Sequence, residues 1–148
     1  MHPALSVIIF TTFSGMGYGL FIWLSVNILI GTMLDDIEIS IAVALSVVLV
    51  GAGLLSSTLH LGRPERAWRA FSQWRTSWLS REGILSVLTF GPMVFIGGEA
   101  YLNLGWDAML APMAILGVLG SIATLFTTSM IYASLKAIPA WHNNWVVA

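Results

Sequence analysis

Cysteine and charge are both scarce in this chain of 148 residues. It has no cysteine, which excludes disulfides, thiolate zinc sites and protein-ligated iron–sulfur clusters. Charged residues make up 9% of the sequence, against about 25% in an average soluble domain. With only six basic residues and a net charge of −1, the chain lacks the basic surface that binds nucleic acid. The content of 57% hydrophobic residues and the mean hydropathy of +0.88 therefore predict an integral membrane protein.

Long apolar runs predict four transmembrane helices, because roughly 20 apolar residues cross the hydrocarbon core as a helix. The predicted helices cover residues 4–33, 38–61, 79–101 and 108–135. The first run is too long for a signal peptide and lacks a basic segment before it, so we expect it to be retained. The sequence predicts an all-α membrane bundle in one domain, with an Arg/Trp-rich loop between the second and third helices.

Basic and acidic residues are distributed unequally between the two sides of the membrane. With four spans, both termini and the loop between helices two and three share one side, which holds Arg63, Arg66, Arg69, Arg75, Arg81 and Lys136. The other side holds Asp35, Asp36, Glu38, Glu99 and Asp107 and no basic residue. The positive-inside rule places the arginine side in the cytoplasm. Arginines kept for a partner or an anionic headgroup would give the same distribution.

Most tryptophans also lie on the arginine side, and two interpretations stay open for them. One is an aromatic belt at headgroup depth. The other is a docking surface for a partner, since Trp and Arg are preferred anchors of interfaces. The residues of that docking surface would be Arg63, Trp68, Arg69, Trp74, Arg75 and Trp78.

Small residues four positions apart predict where helices approach each other closely, since close backbone approach drives helix association in lipid. Gly15, Gly17 and Gly19 mark such a contact in the first helix, with Gly15 and Gly19 as a pair at this spacing, and Gly53 with Ser57 and Gly117 with Ser121 repeat it.

His60 and Glu82 are the candidates for chemistry, because each lies where the Arg/Trp-rich loop meets a helix. A plain structural role stays open for both: His60 hydrogen-bonded to the loop, and Glu82 as an acid in the first helical turn. Together, an imidazole that titrates near neutrality and a carboxyl near the hydrocarbon suit proton exchange, unless Arg81 offsets the carboxylate charge. The three histidines, His2, His60 and His142, match no metal-ligand spacing, and a bis-histidine heme lacks its second ligand.

Two segments of the loop, LHLGRPERAWRA at residues 59–70 and WRTSWLSREG at residues 74–83, carry a family resemblance. Further matches are HPA at 2–4, SGMGYG at 14–19 and PAW at 139–141. In these features the chain resembles the membrane anchor subunit of the dimethyl sulfoxide reductase family (DmsC-like). The branch it resembles most is the membrane subunit of quinone-linked, sulfite-oxidising complexes.

The resemblance implies a subunit of the bacterial cytoplasmic membrane that binds quinone or quinol, either ubiquinone or menaquinone, and carries no heme or metal. Its implied partners are a ferredoxin-like iron–sulfur subunit and a molybdopterin catalytic subunit. His60 and Glu82 match the family's quinone-site residues, and Arg66 matches its loop arginine. Since members have twice as many spans, we expect this chain to be the first half of an eight-helix anchor.

Four functions follow as hypotheses. The leading one is a quinone-binding anchor that passes electrons between the quinone pool and the iron–sulfur partner, in sulfite oxidation if the arginine side is cytoplasmic. The alternatives are a purely structural anchor or assembly subunit, and a quinol-oxidising anchor of a terminal reductase. A small transporter would need ionisable residues within the spans, and the first, second and fourth predicted helices offer none in their apolar runs.

Overall fold

The structure is a computed structural model that describes residues 5–58 and 64–135. Within these residues, four long helices joined by short connections run alternately up and down. They are α1 (Leu5–Leu29), α2 (Asp36–Thr58), α3 (Trp78–Leu102) and α4 (Leu110–Ala133). A 3₁₀ helix, Pro64–Gln73, lies between α2 and α3, and a short 3₁₀ turn, Asp107–Met109, precedes α4. Each of the four is long and apolar enough to span a membrane. The predicted all-α membrane fold is confirmed.

The helix ends differ from the predicted ones for local reasons. α1 ends at Leu29 rather than at 33, because the chain turns at Gly31, which adopts a φ of 71°. α2 begins at Asp36 rather than at 38, because Asp35 and Glu38 cap it reciprocally. Asp35 Oδ1 accepts a hydrogen bond from the Glu38 N–H at 2.7 Å, and Glu38 Oε2 accepts one from the Asp35 N–H at 3.1 Å.

The helices pack in a ring, each against the next, with α4 closing against α1. The buried residues of the shared hydrophobic core are Tyr18, Phe21, Leu24, Val43, Val50, Met93, Ile96 and Ala114. Large apolar side chains also cover the outside of the ring: Ile41, Val94 and Leu119 are 62%, 64% and 60% exposed. Such a surface suits hydrocarbon, because lipid does not drive apolar side chains inward as water does.

Glycines allow close approach at every interface of the ring: Gly17 and Gly53 between α1 and α2, Gly97 between α2 and α3, Gly120 between α3 and α4, and Gly117 between α4 and α1. A Cβ added to Gly53 would lie 2.9 Å from the backbone nitrogen of Ser14, which confirms the contact predicted for Gly53. The contact predicted for the pair Gly15 and Gly19 is wrong, since a Cβ at either would meet nothing within 4 Å. Gly17, which lies between them, makes the contact because the helix turns that face toward α2.

Candidate functional site

Glu82 lies inside the bundle at the arginine end, where it is 4% exposed. The cap of α3 is Ser77, whose Oγ accepts a hydrogen bond from the Ser80 N–H at 3.4 Å. Glu82 is therefore the fifth residue of the helix, and the first turn of α3 contains no acid. This position removes the alternative in which Glu82 is simply a first-turn acid. A carboxyl buried in a membrane span is costly and marks a candidate functional site.

Arg81 holds the loop and does not fold back over the neighbouring carboxyl. Its Nε donates to the Trp74 carbonyl at 2.9 Å, and its Nη2 donates to the Arg75 carbonyl at 2.8 Å. Its guanidinium also lies over the Trp78 ring, 4.3 Å from the centroid. With its donors used in this way, Arg81 fixes the end of the loop on the first turn of α3.

The Glu82 carboxyl faces the interior of the ring. It interacts electrostatically with Tyr18 of α1 and with Tyr132 of α4. One helical turn further into the bundle, Ser86 is also buried. Three helices of the ring therefore contribute polar side chains around this carboxyl.

The loop helix covers the start of α3 beside Glu82. A Cβ at Gly83 would lie 3.5 Å from Cε1 of Phe71, so the Phe71 ring rests on the α3 backbone there. The short helix predicted to begin at Pro64 is confirmed, but it is a 3₁₀ helix with three residues per turn. The side chains of Arg66 and Ala70, predicted to share one side of this helix with Arg69, lie outside the described residues.

Two Arg–Trp pairs cover the outside of this loop, and we call them the Arg–Trp surface: Trp68, Arg69, Trp74 and Arg75. The indoles are 66% exposed for Trp68 and 54% exposed for Trp74. The Arg69 guanidinium lies 5.6 Å from the Trp68 centroid, and that of Arg75 lies 5.5 Å from the Trp74 centroid. Exposed aromatic and cationic groups of this kind are typical of docking surfaces.

Trp78, the remaining described residue of the predicted docking set, is only half-buried and packs inward. Its ring meets that of Phe126 on α4 edge to face, with the centroids 6.2 Å apart. Trp78 thus joins the loop, through Arg81, to the far helix of the bundle.

Three predicted residues lie wholly or partly outside the described structure. His60 and Arg63 lie outside the described residues, as does the predicted end of the second helix. Arg66 belongs to the 3₁₀ helix, and only its backbone is described. The helix end that leads toward residue 60 is held in place, since Ser56 Oγ donates to the Ser6 carbonyl of α1 at 2.9 Å.

Two buried polar residues were not predicted as site residues. Tyr18 is 1% exposed at the centre of the bundle, and its only sequence signal is a tyrosine within a long uncharged span. Glu99, predicted to belong to the acidic loops of the opposite side, is 6% exposed on α3. Its Oε1 accepts a hydrogen bond from the Trp106 N–H at 2.9 Å, which closes the last loop. Among residues 5–58 and 64–135, no group of three potential ligands could hold a metal ion.

Comparison with known proteins gives a family match along the whole sequence. Residues 1–148 match the family described as "DMSO reductase anchor subunit (DmsC)". The sequence is 38% identical to the C subunit of sulfite dehydrogenase from Allochromatium vinosum, with all of this chain and 50% of that protein covered. It is 29% identical to the C polypeptide of anaerobic dimethyl sulfoxide reductase from Escherichia coli, with 94% of this chain and 49% of that protein covered. The protein described here thus spans about half the length of both relatives. No solved structure matches it.

Proposed function

The chain belongs to the DmsC family of DMSO reductase anchor subunits, and from this premise we propose that it binds quinone at the arginine end of the bundle. There it would pass electrons between the quinone pool and an iron–sulfur partner subunit. The observation that carries the proposal is the burial of Glu82 within the first turns of a membrane span, directly beside the loop that bears the Arg–Trp surface.

The residues around Glu82 suit a quinone headgroup. Interconversion of quinone and quinol moves two electrons and two protons, so the site needs a group that exchanges protons close to hydrocarbon. Glu82 supplies such a carboxyl, since a carboxyl within reach of a reacting oxygen can act as a general acid or base. His60 would serve as the second proton-exchanging group and Arg66 as an orienting donor.

The Arg–Trp surface would bind the partner that exchanges electrons with the quinone. A ferredoxin-like iron–sulfur subunit, attached in turn to a molybdopterin subunit, would bring a redox centre within reach of the same membrane edge. The arginines favour a cytoplasmic position for this edge under the positive-inside rule. With that orientation, and with a sulfite dehydrogenase subunit as a relative, we propose sulfite oxidation coupled to quinone reduction in a bacterial inner membrane.

The test is Glu82→Gln in the complete protein, assembled with its partners. The substitution keeps the shape of the side chain but removes its exchangeable charge. Quinone-linked turnover is expected to fall about 100-fold, a typical loss for a general acid or base. Turnover of the molybdopterin subunit with a soluble electron acceptor should stay unchanged, because that reaction does not use the membrane site.

Glu99→Gln is the matched control, since Glu99 is also buried on α3 but lies at the opposite end. It keeps the oxygen that accepts from the Trp106 N–H, so turnover should equal that of the unsubstituted complex. Near-normal quinone turnover in Glu82→Gln would refute the quinone site at this residue. A structural anchor would then be the better description, supported by the exposed Arg–Trp pairs alone.

A further inference from the structure

Tyr18 places a hydroxyl in the bundle interior next to the site proposed above. It lies in the middle of α1, is 1% exposed, and its side chain neighbours Ser86 of α3 and Thr124 of α4. Glu82 and Ser86 are four residues apart on α3, so their side chains are neighbours on one face of that helix. Tyr18 of α1 and the α3 residues Ser86 and Glu82 thus form a polar series in the interior of the ring.

Two oxygens of this series lack the hydrogen bond that buried hydroxyls normally make. Within the described part of the chain, neither the Tyr18 hydroxyl nor Ser86 Oγ has a partner at hydrogen-bond distance, although the two side chains are close enough to interact with each other. Thr124 differs, since its Oγ1 donates to the Gly120 carbonyl at 2.8 Å. Most buried polar groups are paired, so these two hydroxyls are available to donate to an acceptor in the same interior.

The Glu82 carboxyl is a suitable acceptor for these hydroxyls. It is buried in the same interior and interacts electrostatically with Tyr18. Arg81 makes its hydrogen bonds to the loop carbonyls instead, and Tyr132 of α4 also interacts electrostatically with the carboxyl. A phenol that donates to a carboxylate forms a short, strong hydrogen bond, which fixes the direction of the carboxyl.

We propose that Tyr18 is a positioning residue of the quinone site, whose hydroxyl, together with that of Ser86, orients the Glu82 carboxyl by hydrogen bonding. The proposal rests on the proposed function, since it takes Glu82 as the group that exchanges protons with quinone. Tyr18 lies deeper in the bundle than Glu82 and acts on quinone only through that carboxyl. Its removal should therefore slow the reaction without weakening quinone binding.

The experiment compares Tyr18→Phe with Tyr101→Phe in the complete, assembled complex. Tyr101 is the matched control, because it is 78% exposed and lies near the other end of α3. In Tyr18→Phe the kcat of quinone-linked turnover should fall about tenfold, as expected for loss of a hydrogen bond to a charged group. The KM for quinone should stay within about twofold, since binding contacts are kept. Tyr101→Phe should change neither value.

Infrared spectroscopy supplies a readout that does not depend on turnover. The carboxyl stretching bands of Glu82 are assigned by their loss in Glu82→Gln, and they should change frequency in Tyr18→Phe and in Ser86→Ala but not in Tyr101→Phe. Ser86→Ala keeps the test usable if Tyr18→Phe does not assemble. If Glu82→Gln lost turnover but Tyr18→Phe had the same carboxyl bands and the same kcat as Tyr101→Phe, the role of Tyr18 would be overturned. If Glu82→Gln itself kept normal turnover, the proposed function would fail, and the role of Tyr18 with it.

Discussion

The close contact of Gly17 with the backbone of α2 gives a prediction whose size can be worked out from the structure. A Cβ at this position would lie 2.7 Å from Val50 Cγ2, 2.8 Å from the Ser46 carbonyl oxygen and 2.9 Å from the Val50 nitrogen. Favourable separations are about 3.5–4.0 Å, so Gly17→Ala overlaps α2 by roughly 1 Å. Two of the three atoms belong to the α2 backbone, which cannot move aside as a flexible side chain can.

Gly17→Ala should therefore force α1 and α2 apart. Overpacking of a well-packed core costs about 1–3 kcal/mol. Gly19→Ala, two residues along the same helix, meets nothing within 4 Å and is the matched control. There the alanine should be neutral or stabilise the helix by up to about 1 kcal/mol, because it restricts the unfolded backbone. The free energies of unfolding of the two variants should differ by about 3 kcal/mol.

The measurement is reversible unfolding in mixed micelles, with helical circular dichroism and tryptophan fluorescence recorded together. Seven tryptophans supply the fluorescence signal. The reasoning would be refuted if Gly17→Ala were as stable as Gly19→Ala. It would also be refuted if Gly19→Ala were the destabilised variant, since the pair Gly15 and Gly19 would then form the helix contact after all.

Three further predictions concern the two ends of the bundle. Arg81→Ala removes two hydrogen bonds and a cation–π contact. The free energy of loop opening should therefore fall by about 2 kcal/mol, which would be measured as faster proteolysis of the loop. Reversal of charge at Arg69 and Arg75 should abolish copurification of the proposed partner subunits while helical content stays constant, and copurification at normal yield would contradict docking there. Asp35→Ala removes one side of the cap on α2 and should lower the free energy of unfolding by about 1 kcal/mol; an unchanged value would show that the cap contributes nothing.

Hydropathy and sequence order were sufficient to predict the four spans, the loop between α2 and α3 and the candidate Glu82. These features depend on local composition, and a buried carboxyl at the start of an apolar helix is visible in the sequence itself. The rotation of α1 about its axis was not predictable, because this helix is apolar on all sides. The pair Gly15 and Gly19 was therefore predicted to make the contact that Gly17 makes.

Tyr18 was missed for the same physical reason. A tyrosine in a span can face lipid or the core, and only the assembly of the ring brings its hydroxyl beside Ser86 of α3 and Thr124 of α4. The burial of Glu99 was likewise not evident, because its partner, the Trp106 N–H, lies seven residues further along, beyond a turn at Asn103 with a φ of 50°.

The two connections at the acidic end of the bundle are held by hydrogen bonds within the chain itself, and this has a consequence for biogenesis. Asp35 and Glu38 cap α2 within a single turn, and Glu99 closes the loop before α4 from within its own hairpin. Neither connection needs a second protein to reach its native geometry, so both hairpins can form as soon as they enter the bilayer. The opposite end presents exposed tryptophans and arginines instead. Membrane insertion and folding of these two hairpins can therefore precede the binding of any partner at the opposite end.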